Sequence, residues 1–439
     1  MVRRVISAAA VAAAVVLAAT GCGGGGGGST LGGGASIAPA SALAFVAFHG
    51  DASPATWQAV RSLVERLPSD GGLLAAVHNA NLKGELELVL LPDGGAVALT
   101  RARTIAPPLH TRSVRGWTAV ARDAAALDTF AAATTTLAAD PDYRHAVATL
   151  PANALVQAYA NGVAAVQLLG SLPGEIQVQP VPYGIRTVRP RGARGRTTQP
   201  LQFAWGRADV VAVSGGMVLE IRARAAPPLE SVFSTPFQQA ATPPYVPALP
   251  DEIPAGVLFV ADVQVAPGSF ESVDPSTFPP ALARLLAANR DLPNQLDTIL
   301  GGETAVYVRS SEVTLVTQPQ DTVKAVSEIS ALKPLLHARR LVHALIGGEL
   351  VVSTSQRGID DFRSGGAKLS SDAGFQHALR DAGAPAATTG FVYADVAHAP
   401  AVVRTLAPLF GVSLPPGART VAAFGRRTGA VSGFTVFFR

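Results

Sequence analysis

Cysteine is almost missing from this chain: Cys22 is the only one in 439 residues. No intramolecular disulfide can form, so the fold rests on packing alone. Lysine is scarce as well, at four of the 35 basic residues. That skew toward arginine fits a GC-rich genome and points to no particular chemistry. Beyond residue 21 no apolar run approaches the roughly 20 residues that a membrane-spanning helix needs. The hydrophobic content of 48% excludes general disorder, but alanine supplies much of it, so positive mean hydropathy does not indicate a membrane bundle. The formal net charge of +4 falls to +2 if Arg3 and Arg4 leave with a leader, too little to suggest a polyanion partner. Neither a His-Glu-x-x-His zinc pattern nor a nucleophile elbow occurs. The sequence therefore names no catalytic residue, no cofactor and no metal.

What is present begins at the N-terminus. Arg3 and Arg4, the apolar stretch Val5–Thr20 and then Gly21-Cys22 follow the order of a secretory leader. A lone cysteine after small residues at the end of such a leader resembles a bacterial lipoprotein signal, in which that cysteine is acylated and becomes the mature N-terminus. Ala19 stands where such signals favour leucine. Residues 1–21 thus read as signal peptide, with Cys22 as the lipidation site and residues 22–36, rich in glycine, as a flexible tether. The expected address is extracytoplasmic, on the cell membrane.

The remainder repeats itself. Leu137–Ala146, LAADPDYRHA, returns as Leu369–Ala378, LSSDAGFQHA. The same offset, without a gap, carries Gly116 to Gly348, Val120 to Val352, Asp128 to Asp360 and Phe130 to Phe362. The pattern reads as the internal duplication of a whole domain, giving residues 37–224 and 254–439 as tandem copies. Between them, residues 225–253 form a proline-rich linker or packed strap.

Within each copy, apolar segments separated by tight-turn residues predict antiparallel hairpins. Examples are Glu85–Leu91 with Ala96–Thr100 across Pro92-Asp93-Gly94-Gly95, and Arg340–Leu345 with Glu349–Thr354 across Gly347-Gly348. Helices are expected from Ser53-Pro54 onward with Trp57, Val60, Leu63, Val64 and Leu67 on one face, over Leu127–Leu137, after Asp140-Pro141, and after Asp321 with Val323, Val326, Ile329 and Leu332 inward. Phe424-Gly425-Arg426 is expected to answer Trp205-Gly206-Arg207. The fold class that follows is α+β: two tandem domains, each a largely antiparallel sheet with helices packed on one face.

An opening strand after a proline-containing lead, an early helix with a tryptophan, Gly-Gly-Glu before an apolar strand (Gly301–Val308) and Leu-x-x-Asp-x-x-aromatic before a helix occur here in one order. That order resembles a family of exported, mostly actinobacterial proteins known only as a domain of unknown function. The resemblance spans most of residues 38–439. It implies an extracytoplasmic location and supplies no catalytic residues.

Few residues invite a chemical reading. His145 and His377 recur at equivalent places, which points to shared packing more than to a ligand pair. Ser330-Ala331-Leu332-Lys333 spells Ser-x-x-Lys, but the companion Lys-Thr-Gly and Ser-x-Asn elements of penicillin-recognising enzymes are missing. His337 and His343 are too far apart in phase for one metal site. Asp360-Asp361 face different ways on a helix and read as solvated or capping residues. Arg186, Arg189, Arg191, Arg194 and Arg196 crowd a Pro- and Gly-rich loop without an acid among them, a possible contact for an anionic surface. Nucleic acid does not fit an exported chain lacking interleaved aromatics. Two functions remain: a lipid-anchored envelope module that binds or scaffolds an unidentified partner, or an envelope hydrolase with a site assembled between the copies.

Overall fold

The computed structural model describes residues 33–48, 86–101, 109–162, 177–188, 203–225, 243–266, 291–335, 341–398 and 418–439, except 94, 152, 182–183, 214–215 and 430, together with Gly268 and Asn289. The leader, Cys22, the expected helix with Trp57, His337 and Arg189 to Arg196 lie outside the described residues, as does the side chain of Arg186.

The first part of the chain contributes β1 (Ala44–Phe48), β2 (Leu86–Leu90), β3 (Ala96–Thr100), β4 (His110–Val114), β5 (Trp117–Ala121), α1 (Ala124–Ala131), α2 (Pro141–Val147), β6 (Val156–Asn161), a separate two-stranded pair of β7 (Gln177–Val181) and β8 (Gly184–Val188), β9 (Phe203–Val213) and β10 (Gly216–Ala225). The second contributes β11 (Phe259–Val265), α3 (Leu292–Ile299), β12 (Gly302–Arg309), β13 (Glu312–Thr317), α4 (Thr322–Leu335), β14 (Val342–Ile346), β15 (Glu349–Ser353), α5 (Gln356–Arg363), α6 (Ala373–Asp381), β16 (Phe391–Asp395), β17 (Thr420–Thr428) and β18 (Val431–Phe438). The chain separates into two compact units, the first built mainly from residues up to Val232 and the second mainly from Phe233 onward.

Two α+β domains, each with its own sheet and helices on one face, is not what this chain adopts. Among the described residues, sixteen strands join in a single antiparallel sheet and the helices are few and short. The order is β14-β15-β13-β12-β11-β16-β17-β18-β10-β9-β6-β1-β2-β3-β5-β4. A sheet edge leaves a row of backbone N–H and C=O groups unsatisfied, and continuing the sheet satisfies them. Strand patterns alone do not say where a sheet stops, and a proline-rich segment reads as a break. The one-face expectation fails too. In the second unit α5 lies against Thr314 and Ser353, with Gly358 close to both hydroxyls. The opposite face carries Val265 and Val352, which pack with Leu292 and Ile299 of α3 and Ala325, Ile329 and Leu332 of α4.

Read outward from β10 and from β18, the two halves of the sheet run through the same sequence of strands. The repeated decapeptide explains itself locally. Leu137 and Leu369 are fully buried, and their N–H groups donate to Ala38 O (2.7 Å) and Ile253 O (2.8 Å). Asp140 and Asp372 cap the following helices, accepting from Tyr143 N (2.9 Å) and Phe375 N (3.0 Å). Tyr143 meets Tyr159 edge-on at 5.0 Å, and Phe375 meets Tyr393 at 5.3 Å. The recurring leucine, aspartate, aromatic and alanine are each a cap or part of the core, whereas His145 and His377 are exposed.

Some local expectations shift. Leu127–Leu137 is not one helix: α1 ends at Ala131, and Leu137–Ala139 forms a separate 3-10 turn. In α4 Asp321 does cap, through Lys324 N at 2.9 Å, but Val323 is 79% exposed. Ala325 takes its place on the inner face. The glycine-rich stretch is packed from Gly33 on, where Gly33–Ser36 makes a 3-10 turn with Gly34 and Ala35 buried. Trp205 pairs with Asn161, whereas Phe424 pairs with Phe391. Since Tyr159 and Tyr393 correspond, the Phe-Gly-Arg segment has slid four residues along its strand relative to Trp-Gly-Arg.

Candidate functional site

Polar groups buried in a sheet are where chemistry or strain concentrates, because burial without partners costs so much. Two clusters stand out. In the first unit, cross-strand pairing sets Glu87, Ala47, Gln157, Asp209 and Glu220 in one row over five strands. The adjacent row is Val89, Phe45, Tyr159, Arg207 and Arg222. Directly opposed residues share a face, so Arg207, Asp209, Glu220 and Arg222 form a square of charges.

Arg207 and Asp209 are each 3% exposed. The Arg207 guanidinium donates to Ala146 O (3.1 Å) and Thr149 Oγ1 (2.7 Å), tying down the C-terminal end of α2, and lies 3.5 Å from the Glu220 carboxylate. Burial, then the neighbouring Arg222 charge, pulls its pKa down. Arg222 pairs with Glu220 through Nε at 2.6 Å. Burial first, and then the Glu220 charge, pushes the Asp209 carboxyl up to about 7. Among the described residues Asp209 Oδ1 has no hydrogen-bond partner.

The second cluster surrounds Glu303. Its carboxylate accepts from the N–H groups of Ala248 (2.9 and 3.0 Å) and Leu249 (2.9 Å), so it fixes the end of the proline-rich segment against β12. Asp262, 0% exposed, accepts from the Tyr245 hydroxyl. Burial and the adjacent Glu303 charge raise Asp262 well above the usual carboxylate range. Burial and the same acids raise the Tyr245 hydroxyl. In the first unit Glu87 plays a similar part, accepting from Gly34 N at 3.3 Å. A Cβ at Gly34 would lie 1.6 Å from Glu87 Oε2, so only glycine admits this contact. In both units a buried glutamate grips the lead-in to the first strand.

Neither Asp209, Arg207, Asp262 nor Glu303 was singled out from sequence. The alternation Trp205-Gly206-Arg207-Ala208-Asp209-Val210 was there to read, but period two assigns charges to solvent by default. Glu303 was visible only as part of a Gly-Gly-Glu motif.

The residues that were singled out are dispersed. His145 is exposed, with its ring 5.7 Å from that of Trp205. His377, also exposed, pairs with Asp381 at 3.0 Å. The recurring histidines thus share a helix position and no chemistry. Ser330 donates back to Val326 O at 3.0 Å within its own helix. Asp360 pairs with Arg363 on the surface, at 3.4 Å. Asp361 does more than face solvent, since it pairs with Arg309, which also donates to Ala255 O at 3.1 Å. Among the described residues no three His, Cys, Asp or Glu side chains converge as metal ligands, and no helix is long and apolar enough to cross a membrane.

One exposed feature differs between the units. The β4–β5 hairpin turns on Arg115 (φ +45°) and Gly116 (φ +82°), while the β14–β15 hairpin turns on Gly347 (φ +63°) and Gly348 (φ +103°). Arg101 lies over the Trp117 ring at 4.0 Å and donates to Gly116 O at 3.3 Å. Arg115 donates to Ser36 O at 3.4 Å.

These features define an antiparallel-sheet protein with two topologically equivalent halves and internal charge clusters. No family model, no curated protein and no solved structure matches the chain.

Proposed function

We propose that this protein is a lipid-anchored extracytoplasmic module that binds or scaffolds an envelope partner. The observation that carries the reading is the short distance along the chain between Cys22 and Gly33, a residue of the first unit. Gly33 sits in the first unit, and ten residues, 23–32, seven of them glycine, separate it from Cys22. A glycine-rich chain of that length spans about 17 Å by the square-root rule. Acylation of Cys22 would therefore hold the first unit against the bilayer. The resemblance to an exported family supports the same address, and the equal strand order of the two halves supports an ancestral duplication.

The buried acids support binding over hydrolysis. Glu303 spends both oxygens on backbone N–H groups, Asp262 is engaged by Tyr245, and Asp209 is enclosed among Arg207, Glu220 and Arg222. A hydrolase needs a carboxyl that can reach substrate, and these are committed to the fold.

The test is the mass of the N-terminal peptide of the membrane fraction. A diacylglyceryl group on Cys22 is expected, and a mature chain with a bare thiol would overturn the anchor. A second version, exported by a leader without the cysteine and so released, separates the two roles. Loss of function on release fits a module that holds a partner at the membrane. Retained function would mean action on a soluble substrate.

A further inference from the structure

We propose that the end of the β4–β5 hairpin is a docking surface for anionic phospholipid headgroups, made by Arg101 and Arg115 around Trp117. This deepens the reading of a lipid-anchored module and rests on it.

The argument compares the same place in the two units. Pairing of Thr100 with Thr118 and of Thr317 with Leu350, with the constant offset between the hairpins, aligns Arg101 with Gln318. The same offset aligns Arg112 with Ala344, Arg115 with Gly347 and Trp117 with Glu349. Three arginines and a tryptophan in the first unit thus stand where the second has no cation and one acid. The shared strands do not require the arginines, because the second unit folds the same strands without them; Trp117 itself is part of the first unit's core, at 3% exposed.

Arg115 carries a further mark. A non-glycine residue at φ +45° is disfavoured, and glycine at the equivalent turn avoids that penalty. Outliers of this kind cluster at functional sites, and the other described one, Ser310, turns β12 into β13 in the second unit. Arg112 is paired with Asp128 at 3.1 Å. Arg101 and Arg115 are exposed and, among the described residues, form no ion pair.

The occupant follows from where the chain enters. A Cβ on Gly33 would lie 3.5 Å from both Arg101 Nη2 and the Trp117 ring, so Gly33 sits beside Arg101. The chain between Cys22 and Gly33, at most about 40 Å when fully extended, keeps them near any lipid the cysteine carries. A positive surface held that near an anionic bilayer is drawn to it, each arginine favouring contact about fivefold.

The experiment is hydrogen exchange of the 109–122 segment in full-length protein purified from membranes and reconstituted in vesicles. One set contains 30% phosphatidylglycerol in phosphatidylcholine, the other phosphatidylcholine alone. Slower exchange around Val114–Trp117 on the anionic vesicles is expected, weakened by 0.5 M NaCl. R101Q/R115Q should lower that protection about 25-fold, while R101K/R115K should keep most of it, because a lysine at each site preserves charge without the guanidinium contacts. Identical exchange on the two vesicle types would overturn the proposal, as would equal protection by soluble glycerol phosphodiester. The N-terminal mass of the same sample separates the failures. Acylated Cys22 with an indifferent hairpin sinks this inference alone, whereas a bare Cys22 sinks the anchor. Protein lacking the anchor still reports on the patch, by co-sedimentation with the same two vesicle sets.

Discussion

The two halves of the sheet follow one strand order and solve the same burial problem with different chemistry. In the second unit the row through Asp262 continues into Phe391 and Phe424. In the first, the equivalent positions next to Ala47 are Gln157 and Asp209, beside Arg207 where the second unit has Ala422. At these matched positions aromatic packing fills the second unit's row, and a network of charges fills the first's. A duplicated scaffold makes this informative, since strand order and helix caps are held constant. What differs is the free energy of burying ions, which must be compensated by partners.

The largest expected effect tests that difference with a matched pair of arginines. Arg207 is buried and bonded to Ala146 O and Thr149. Arg426, aligned with it in sequence, reaches Gly383 O past the end of α6 and stacks at 5.0 Å on Phe424 from a half-buried position. Arg207→Ala leaves Ala146 O and the Thr149 hydroxyl without their buried donor and removes a cation from beside Asp209 and Glu220, and should cost about 3–5 kcal/mol. Arg426→Ala should cost about 1 kcal/mol. Guanidinium unfolding midpoints of the two variants measure both, and equal losses would mean that the charge square is a surface network.

The second prediction concerns pH. The folded Asp209 carboxyl titrates near 7, above its ordinary value of 3.8. A raised acid favours the folded state while protonated. Its contribution is therefore fully present below about pH 4 and is lost as pH climbs through about 7, a change of about 4 kcal/mol. Denaturation between pH 5 and 8 should show stability falling, and Asp209→Asn should flatten that slope. An unchanged slope in the variant would place the titration elsewhere, with Asp262 the next residue to test.

A reader of the sequence alone obtains the local half of this. Hairpins at His110–Val114 with Trp117–Ala121 and at Val342–Ile346 with Glu349–Ser353 are legible because alternation and turn glycines are local properties. The caps Asp140, Asp321 and Asp372 are legible for the same reason. Continuity of the sheet is not, because pairing between distant strands leaves no local mark. The burial of Arg207, Asp209 and Asp262 is hidden likewise. A charge alternating with apolar residues looks like a solvated face until the elements that cover it are known. The four-residue slide of Phe424-Gly425-Arg426 also escapes sequence, since the tripeptide matches Trp205-Gly206-Arg207 while its strand pairs in another register.

A third prediction separates the two lead-in anchors. Gly34→Ala drives a methyl into Glu87 and Leu99, an overpacking that should cost about 2–3 kcal/mol. At the corresponding contact of the second unit Leu249 already carries a side chain, fully buried beneath Glu303, so Leu249→Ala instead opens a cavity, at a similar cost. The signs of repair differ. Glu87→Ala should restore stability to Gly34→Ala by making room, and Glu303→Ala should worsen Leu249→Ala by leaving two N–H groups unsatisfied. Double-mutant cycles in urea read this directly.

The smallest effect is the most pointed, because stability and docking should move in opposite directions. Arg115→Gly removes the left-handed strain at the hairpin tip, worth about 1–2 kcal/mol. Against this stands glycine's greater freedom when unfolded, about 0.5–1 kcal/mol. The weak bond to Ser36 O is lost as well. The net expectation is a gain of about 0.5 kcal/mol, read as a small rise in the unfolding midpoint. The converse exchange, Gly347→Arg at φ +63°, should lower stability by a similar amount. If Arg115 exists for packing, its replacement will weaken the fold, and protection of the hairpin on phosphatidylglycerol vesicles will change only as far as the fold does. If it exists for the bilayer, the variant will be the more stable protein and the poorer binder by about fivefold. A turn strained in one copy and relaxed in its counterpart then separates a side chain kept for packing from one kept for a ligand.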